Sequence, residues 1–110
     1  MRSNKQTSAN DPLGAFSDPP LLVLASLATG AKHGHAMLED IHELSGCRLG
    51  PGTLYGAIAR LEGKGWIEAL AMDDRRKPYR LTTAGRAVLD ARMTMLRRFV
   101  SAGERRLGLA

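Results

Sequence analysis

Apolar residues recur at helical spacing in four stretches of the chain. In the first, roughly Pro20–Thr29, they fill nearly every position: Leu21, Leu22, Val23, Leu24 and Leu27. A helix apolar all round belongs at the centre of a core. Asp18 is placed to cap it and Gly30 to end it. A second helix is predicted over Gly34–Ser45, with Met37, Leu38, Ile41 and Leu44 on one side and Glu39, Asp40 and Glu43 on an acidic outer face. Gly46 is its terminator. A third is predicted over Pro51–Lys64, where Leu54, Ile58 and Leu61 form one buried stripe. Pro51 suits the first helical position, and Gly65 suits the left-handed residue that closes a helix. The linker Cys47–Gly50 is short, so these two helices should be adjacent and angled, as in a helix-turn-helix.

The pattern then changes period. Trp66–Met72 reads as a strand, Asp73–Lys77 as a polar tip, and Pro78–Leu81 as a returning strand. Pro78 has no N–H for a ladder, which predicts an edge position. Thr82 can cap the last helix, predicted over Thr83–Leu107. Along it Leu89, Met93, Leu96, Val100, Gly103 and Leu107 alternate spacings of four and three, a coiled-coil-like seam. Val88, Met95, Phe99 and Ala102 form a second stripe beside it, and Asp90, Thr94, Arg97, Ser101 and Arg105 lie opposite. So wide an apolar face exceeds what a small domain covers. We therefore expect a homodimer made through Leu89, Met93, Leu96, Val100 and Leu107, with packing against the first helix as the alternative. Residues 1–18, rich in Ser, Asn, Asp, Gly and Ala, are expected to form a mobile tail, with Leu13 and Phe16 available to a partner.

The exposed face of the third helix is unusual. It carries Gly52, Thr53, Tyr55, Gly56, Ala59, Arg60 and Gly63, where a solvated face is normally crowded with Glu and Lys. Each interior glycine costs about 1 kcal/mol relative to alanine. A thin face with a few hydrogen-bonding groups suits close approach to another surface. Charge indicates which surface. The chain of 110 residues carries a formal +5, and residues 66–110 hold all of it, with ten basic and five acidic side chains. Polyanions are plausible partners for such a balance. Arg75, Arg76 and Lys77 crown the hairpin.

The order of helix, helix, thin-faced helix, basic hairpin and long helix is that of a winged helix-turn-helix, in which one helix enters the major groove and the wing touches the backbone. On that reading Arg60 can donate twice to a base edge, Thr53 and Tyr55 can donate to phosphate oxygens, and Gly52 and Gly56 allow close approach. Arg75, Arg76 and Lys77 neutralise phosphates. The predicted organisation is a tail over 1–18, a DNA-binding domain over 19–82 and a dimerisation helix over 83–110, mostly α with one small β-hairpin.

Other chemistry has little support. His33 and His35 form a His-x-His pair, but with His42 and Cys47 the other candidates it lacks a third ligand at metal spacing, so no metal or other cofactor is expected. There is no paired nucleophile and base and no phosphate loop, hence no enzyme. A single cysteine suits a reducing cytoplasm, and no apolar run reaches the ~20 residues of a membrane span. His33 is expected to link the first two helices and His42 to sit on a helix surface. A winged-helix adaptor without DNA binding is the alternative function, and the basic wing argues against it.

The residues also resemble a family. His33-Gly34-His35, Gly52-Thr53-Leu54-Tyr55, Arg60-Leu61-Glu62, Gly65-Trp66-Ile67 and Tyr79-Arg80-Leu81-Thr82-Thr83-Ala84-Gly85, in that order, are similar to the PadR family of bacterial transcriptional regulators, over about Leu21–Val88. The single C-terminal helix resembles the short members. His35 stands where the family carries an aromatic residue, Gly56 where proline is frequent, and Ala59 where a basic residue is frequent. The resemblance implies a dimeric winged-helix protein, usually a repressor, bound to double-stranded DNA and in many members released by a small, often aromatic effector near the dimer interface. Trp66, Met93 and Met95 are the candidates to line such a site, with core packing as their default role.

Overall fold

A computed structural model describes Leu13 and residues 17–109. The element order is α1 (Pro19–Leu27), α2 (Gly34–Ser45), α3 (Pro51–Gly63), β1 (Ile67–Ala69), β2 (Tyr79–Leu81) and α4 (Thr83–Arg106). Apart from Leu13, which is exposed, and residues 17–18, the tail expectation, including Phe16, lies outside the described residues.

Helix α1 is the hub. It packs against α2, α3, α4 and β2, and Leu21, Leu22, Val23, Leu24 and Leu27 are all buried. Burying each such side chain fully contributes roughly 1.5–3 kcal/mol, so its lack of a polar face follows from its position. Met37 and Ile41 from α2, Leu54, Ala57, Ile58 and Leu61 from α3, and Ile67 and Tyr79 from the hairpin complete the core. Cys47 is buried at its edge as a free thiol.

The helix ends obey local rules. Asp18 Oδ1 accepts from the Leu21 amide at 3.2 Å, while its other oxygen lies 3.5 Å from Arg92 on α4. Gly46 ends α2 at φ +76°, a conformation that favours glycine. Thr82 Oγ1 accepts from the Gly85 amide at 3.0 Å and caps α4. A Cβ at Gly85 would run into the Trp66 carbonyl, so this glycine lets α4 leave close to the hairpin.

Two expectations need correction, and a third gains a detail. The acidic outer face of α2 is not all outer: Asp40 accepts from the buried Ser26 hydroxyl at 2.7 Å and lies 3.9 Å from Lys32 Nζ. That network ties α2 to α1. The strands are also shorter than predicted, three residues each, paired antiparallel with Ile67 opposite Leu81 and Ala69 opposite Tyr79. Pro78 explains the stop. Its carbonyl accepts from the Leu70 amide at 2.9 Å, but it has no N–H to return. Nor is β2 a bare edge: Tyr79 exchanges both backbone hydrogen bonds with Lys32, at 3.0 and 3.1 Å. The missing proline donor thus falls on the side facing β1.

Candidate nucleic-acid interface

Helix α3 leaves one face uncovered. Gly52, Thr53, Gly56, Ala59, Arg60 and Gly63 are exposed, and Leu54, Ala57, Ile58 and Leu61 are buried behind them. At 100° per residue Thr53, Gly56 and Arg60 lie close together on the exposed side. The helix opens at Gly50, which has no side chain to cap it. The amides of Gly52 and Thr53 fall in the first turn, where no intrahelical acceptor exists. This is a favourable site for an anionic oxygen.

Tyr55 sits on the flank of that face. It is 50% exposed, and its phenol lies against the backbone of Gly34, where any Cβ would collide with the ring. The glycine of His33-Gly34-His35 therefore seats a side chain 21 positions away. Tyr55 holds α3 against the start of α2, a positioning role that the spacing of the sequence did not reveal.

The hairpin beyond β1 and β2 forms the wing. From Leu70, bonded to Pro78, to Asp73, paired with Arg76, Ala71 and Met72 oppose the single residue Lys77. This is a β-bulge, which bends the hairpin and strengthens its twist. Asp74 and Arg75 close the tip with φ of +52° and +67°, the arrangement of a two-residue primed turn. Neither is glycine, so the tip is strained, most of all at Arg75.

Arg75, Arg76 and Lys77 are exposed, as expected, but Arg76 is turned back on the body. Its Nη1 lies 3.1 Å from His33 Nε2 and its Nη2 3.8 Å from Asp74. Together with His35, Tyr55 and Tyr79, the three cations line a groove of about 380 Å³ between wing, α2 and α3. Of the residues predicted for DNA contact, the structure thus brings Tyr55, Arg75, Arg76 and Lys77 into one groove. Gly52, Thr53, Gly56 and Arg60 stand on the exposed face of α3, outside it. His33 was expected to link helices; its Nδ1 accepts from the Ala36 amide at 3.4 Å and caps α2. Burial pushes the Tyr79 phenol above its usual pKa, and the nearby Glu62 and Tyr55 add to this.

On α4, Val88 and Leu89 are half-buried against the core. Met93 and Leu96 are half-buried, while Met95, Phe99, Val100 and Leu107 are exposed. Trp66 packs on the core with Lys64 Nζ 5.3 Å above its ring. Among the described residues no group of His, Cys, Asp and Glu is arranged to hold a metal, and no helix is long and apolar enough to cross a membrane.

Residues 23–91 match the Transcriptional regulator PadR-like family. The chain belongs to the PadR-like family. Its members are transcription regulators rather than enzymes. A 37.1 kDa uncharacterized protein of a Streptomyces fradiae transposon is 49% identical over 74 residues, 67% of this chain and 21% of that protein. A transcriptional regulator of Mycobacterium tuberculosis is 39% identical over 72 residues, 63% of this chain and 66% of that one. The chain thus spans about a fifth of the first relative and two thirds of the second. A PadR family transcription regulator from Clostridium difficile superimposes with a TM-score of 0.71 at 24% identity, covering 81% of this chain and 96% of that one. This supports the winged-helix fold.

Proposed function

We propose that this PadR-family chain binds double-stranded DNA as a homodimer, acting as a repressor. Each subunit presents the exposed face of α3 to a major groove, with Arg60 as the base-reading donor and Thr53, Gly56 and Gly52 permitting close approach. The wing places Arg75, Arg76 and Lys77 on the backbone. The observation that carries this reading is the thin, exposed α3 face lying beside a wing whose three cations open onto a groove with no carboxylate in its lining. The half-buried and exposed apolar residues of α4, namely Leu89, Met93, Leu96, Val100 and Leu107, would meet the same helix of a second copy. The operator is then a pseudo-palindrome with half-sites about 10 bp apart, or a multiple of that. A small aromatic effector would act by changing the separation or angle of the two α3 helices. The cytoplasm is the proposed compartment.

Fluorescence-anisotropy titration against a library of short duplexes at two salt concentrations tests the reading. Tight, sequence-selective and salt-sensitive binding is expected. Replacing Arg75, Arg76 and Lys77 together by alanine should lower the salt slope by up to ~3 units, at ~0.9 per lost phosphate contact. A slope unchanged by that substitution would remove the wing from the interface. Weak, unselective binding in both salts would turn the reading toward a protein–protein adaptor.

A further inference from the structure

His33 faces two donors at once. Its Nδ1 stands 3.4 Å from the Ala36 amide, and its Nε2 stands 3.1 Å from Arg76 Nη1. A neutral imidazole has one N–H and one lone pair, and guanidinium nitrogens only donate. If Nδ1 accepts from Ala36, the proton is on Nε2 and points at another donor. If Nε2 accepts from Arg76, the proton is on Nδ1 and the α2 cap is lost. An imidazolium satisfies neither contact. The free protein therefore cannot make both bonds in any protonation state of His33.

An acceptor oxygen in the groove removes the conflict. Arg76 could then donate outward, His33 could keep Nδ1 as the cap of α2, and the Nε2–H could donate to the same oxygen. The surroundings favour an anion. Arg75, Lys77 and His35 line the groove with them. Three carboxylates stand near the groove but outside its lining: Asp74 at the far guanidinium nitrogen of Arg76, Glu39 3.2 Å from His35 Nε2, and Glu62 beside Tyr79. At about 380 Å³ the groove has room for a phosphate and its flanking ester oxygens.

We propose that His33 and Arg76 form a paired donor for one phosphate oxygen of the DNA backbone, seated between the wing and the start of α2. This rests on the DNA-binding reading and adds a residue and a site to it. His33 becomes both the cap that fixes α2 and a ligand-sensing donor, and Arg76 is parked on it until the phosphate arrives.

The test is long-range proton–nitrogen NMR of the His33 imidazole in the full chain, free and with a 20-bp duplex whose binding is followed in parallel by anisotropy. In the free protein the two tautomers should interconvert; with duplex the ring should settle as the Nε2–H form. His33→Asn retains a good capping side chain but cannot reach the groove. It should keep the melting temperature and weaken duplex binding by roughly tenfold, the scale of a hydrogen bond to a charged group. Arg76→Ala should weaken binding and lower the salt slope by ~0.9, and the double variant should lose less than the two single losses combined. An unchanged imidazole spectrum in a protein that binds duplex, or strictly additive losses, overturns the pairing and leaves DNA binding standing. No duplex binding at either salt overturns both.

Discussion

Helix α1 has nine residues and hides six of them; helix α4 has 24 and hides only Gly85. Both are rich in large apolar side chains, yet their environments are opposite. Every apolar position of α1 from Leu21 to Leu24, and Leu27, is answered by a neighbour within the chain. On α4 the same accounting stops after the first turns, at Val88 and Leu89, and farther along Phe99 is 74% exposed. A soluble monomer rarely leaves a contiguous apolar patch of this kind without a use. The residues of α1 fold the domain, whereas those of the outer α4 stripe contribute little to its core.

Truncation on both helices tests this difference most directly. Leu27→Ala should cost about 2–5 kcal/mol of stability in urea unfolding, because the cavity opens in a closed core. Phe99→Ala should change the unfolding of a dilute monomer by less than about 0.5 kcal/mol. A large loss at Phe99 under monomeric conditions would mean that α4 packs within its own chain. Leu96→Asp with Val100→Asp should leave the fold intact and yield a monomer on sedimentation, and a surviving dimer would place the self-contact elsewhere.

A smaller effect is expected where the two kinds of residue meet. Gly34→Ala forces the Tyr55 ring off the start of α2 and should cost about 1–3 kcal/mol, the range for overpacking. DNA affinity should fall by more than stability predicts if the angle between α2 and α3 matters to reading. At the wing tip, Arg75→Gly relieves a left-handed residue and should slow hydrogen exchange at the Asp73 and Arg76 amides by about fivefold, for ~1 kcal/mol. It should also remove one phosphate contact, ~0.9 in salt slope. The smallest effect concerns Tyr79. Its raised pKa means that the unfolded chain releases this proton first. Stability is therefore full below the ordinary tyrosine pKa and declines as pH rises through about 10 toward the folded value. Tyr79→Phe should flatten that alkaline loss.

Much of this organisation was legible in the residues because it is local. Asp18, Gly46, Pro51, Gly65 and Thr82 mark helix ends through contacts reaching three or four positions, and apolar spacing reports the covered side of α3, though not of α2, where Leu44 is exposed, or of α4, whose apolar stripe stays largely open. The thin face of α3 and the basic tip were visible for the same reason. The inward role of Asp40 is not legible in the spacing because its partner Ser26 is on another helix, and only packing shows that the two meet. The strand β2 is at the edge of its two-stranded sheet, but the single bridge from Tyr79 to Lys32, far away in sequence, is visible only in the packing. The bulge opposite Lys77 was hidden since strands of three residues are too short for alternation to set register.

By itself, then, the sequence determined the element order, the capped helix ends, the apolar centre on α1 and the polar, small-residue face of α3, because hydrogen-bond caps and periodicity act within one or two turns. Tertiary structure alone decided that Tyr55 is seated on Gly34, that Arg76 folds back onto His33, and that three cations share a groove with α2. These contacts span up to 43 positions. No local propensity encodes them; they follow from the rigid packing of α2, α3 and the hairpin around α1.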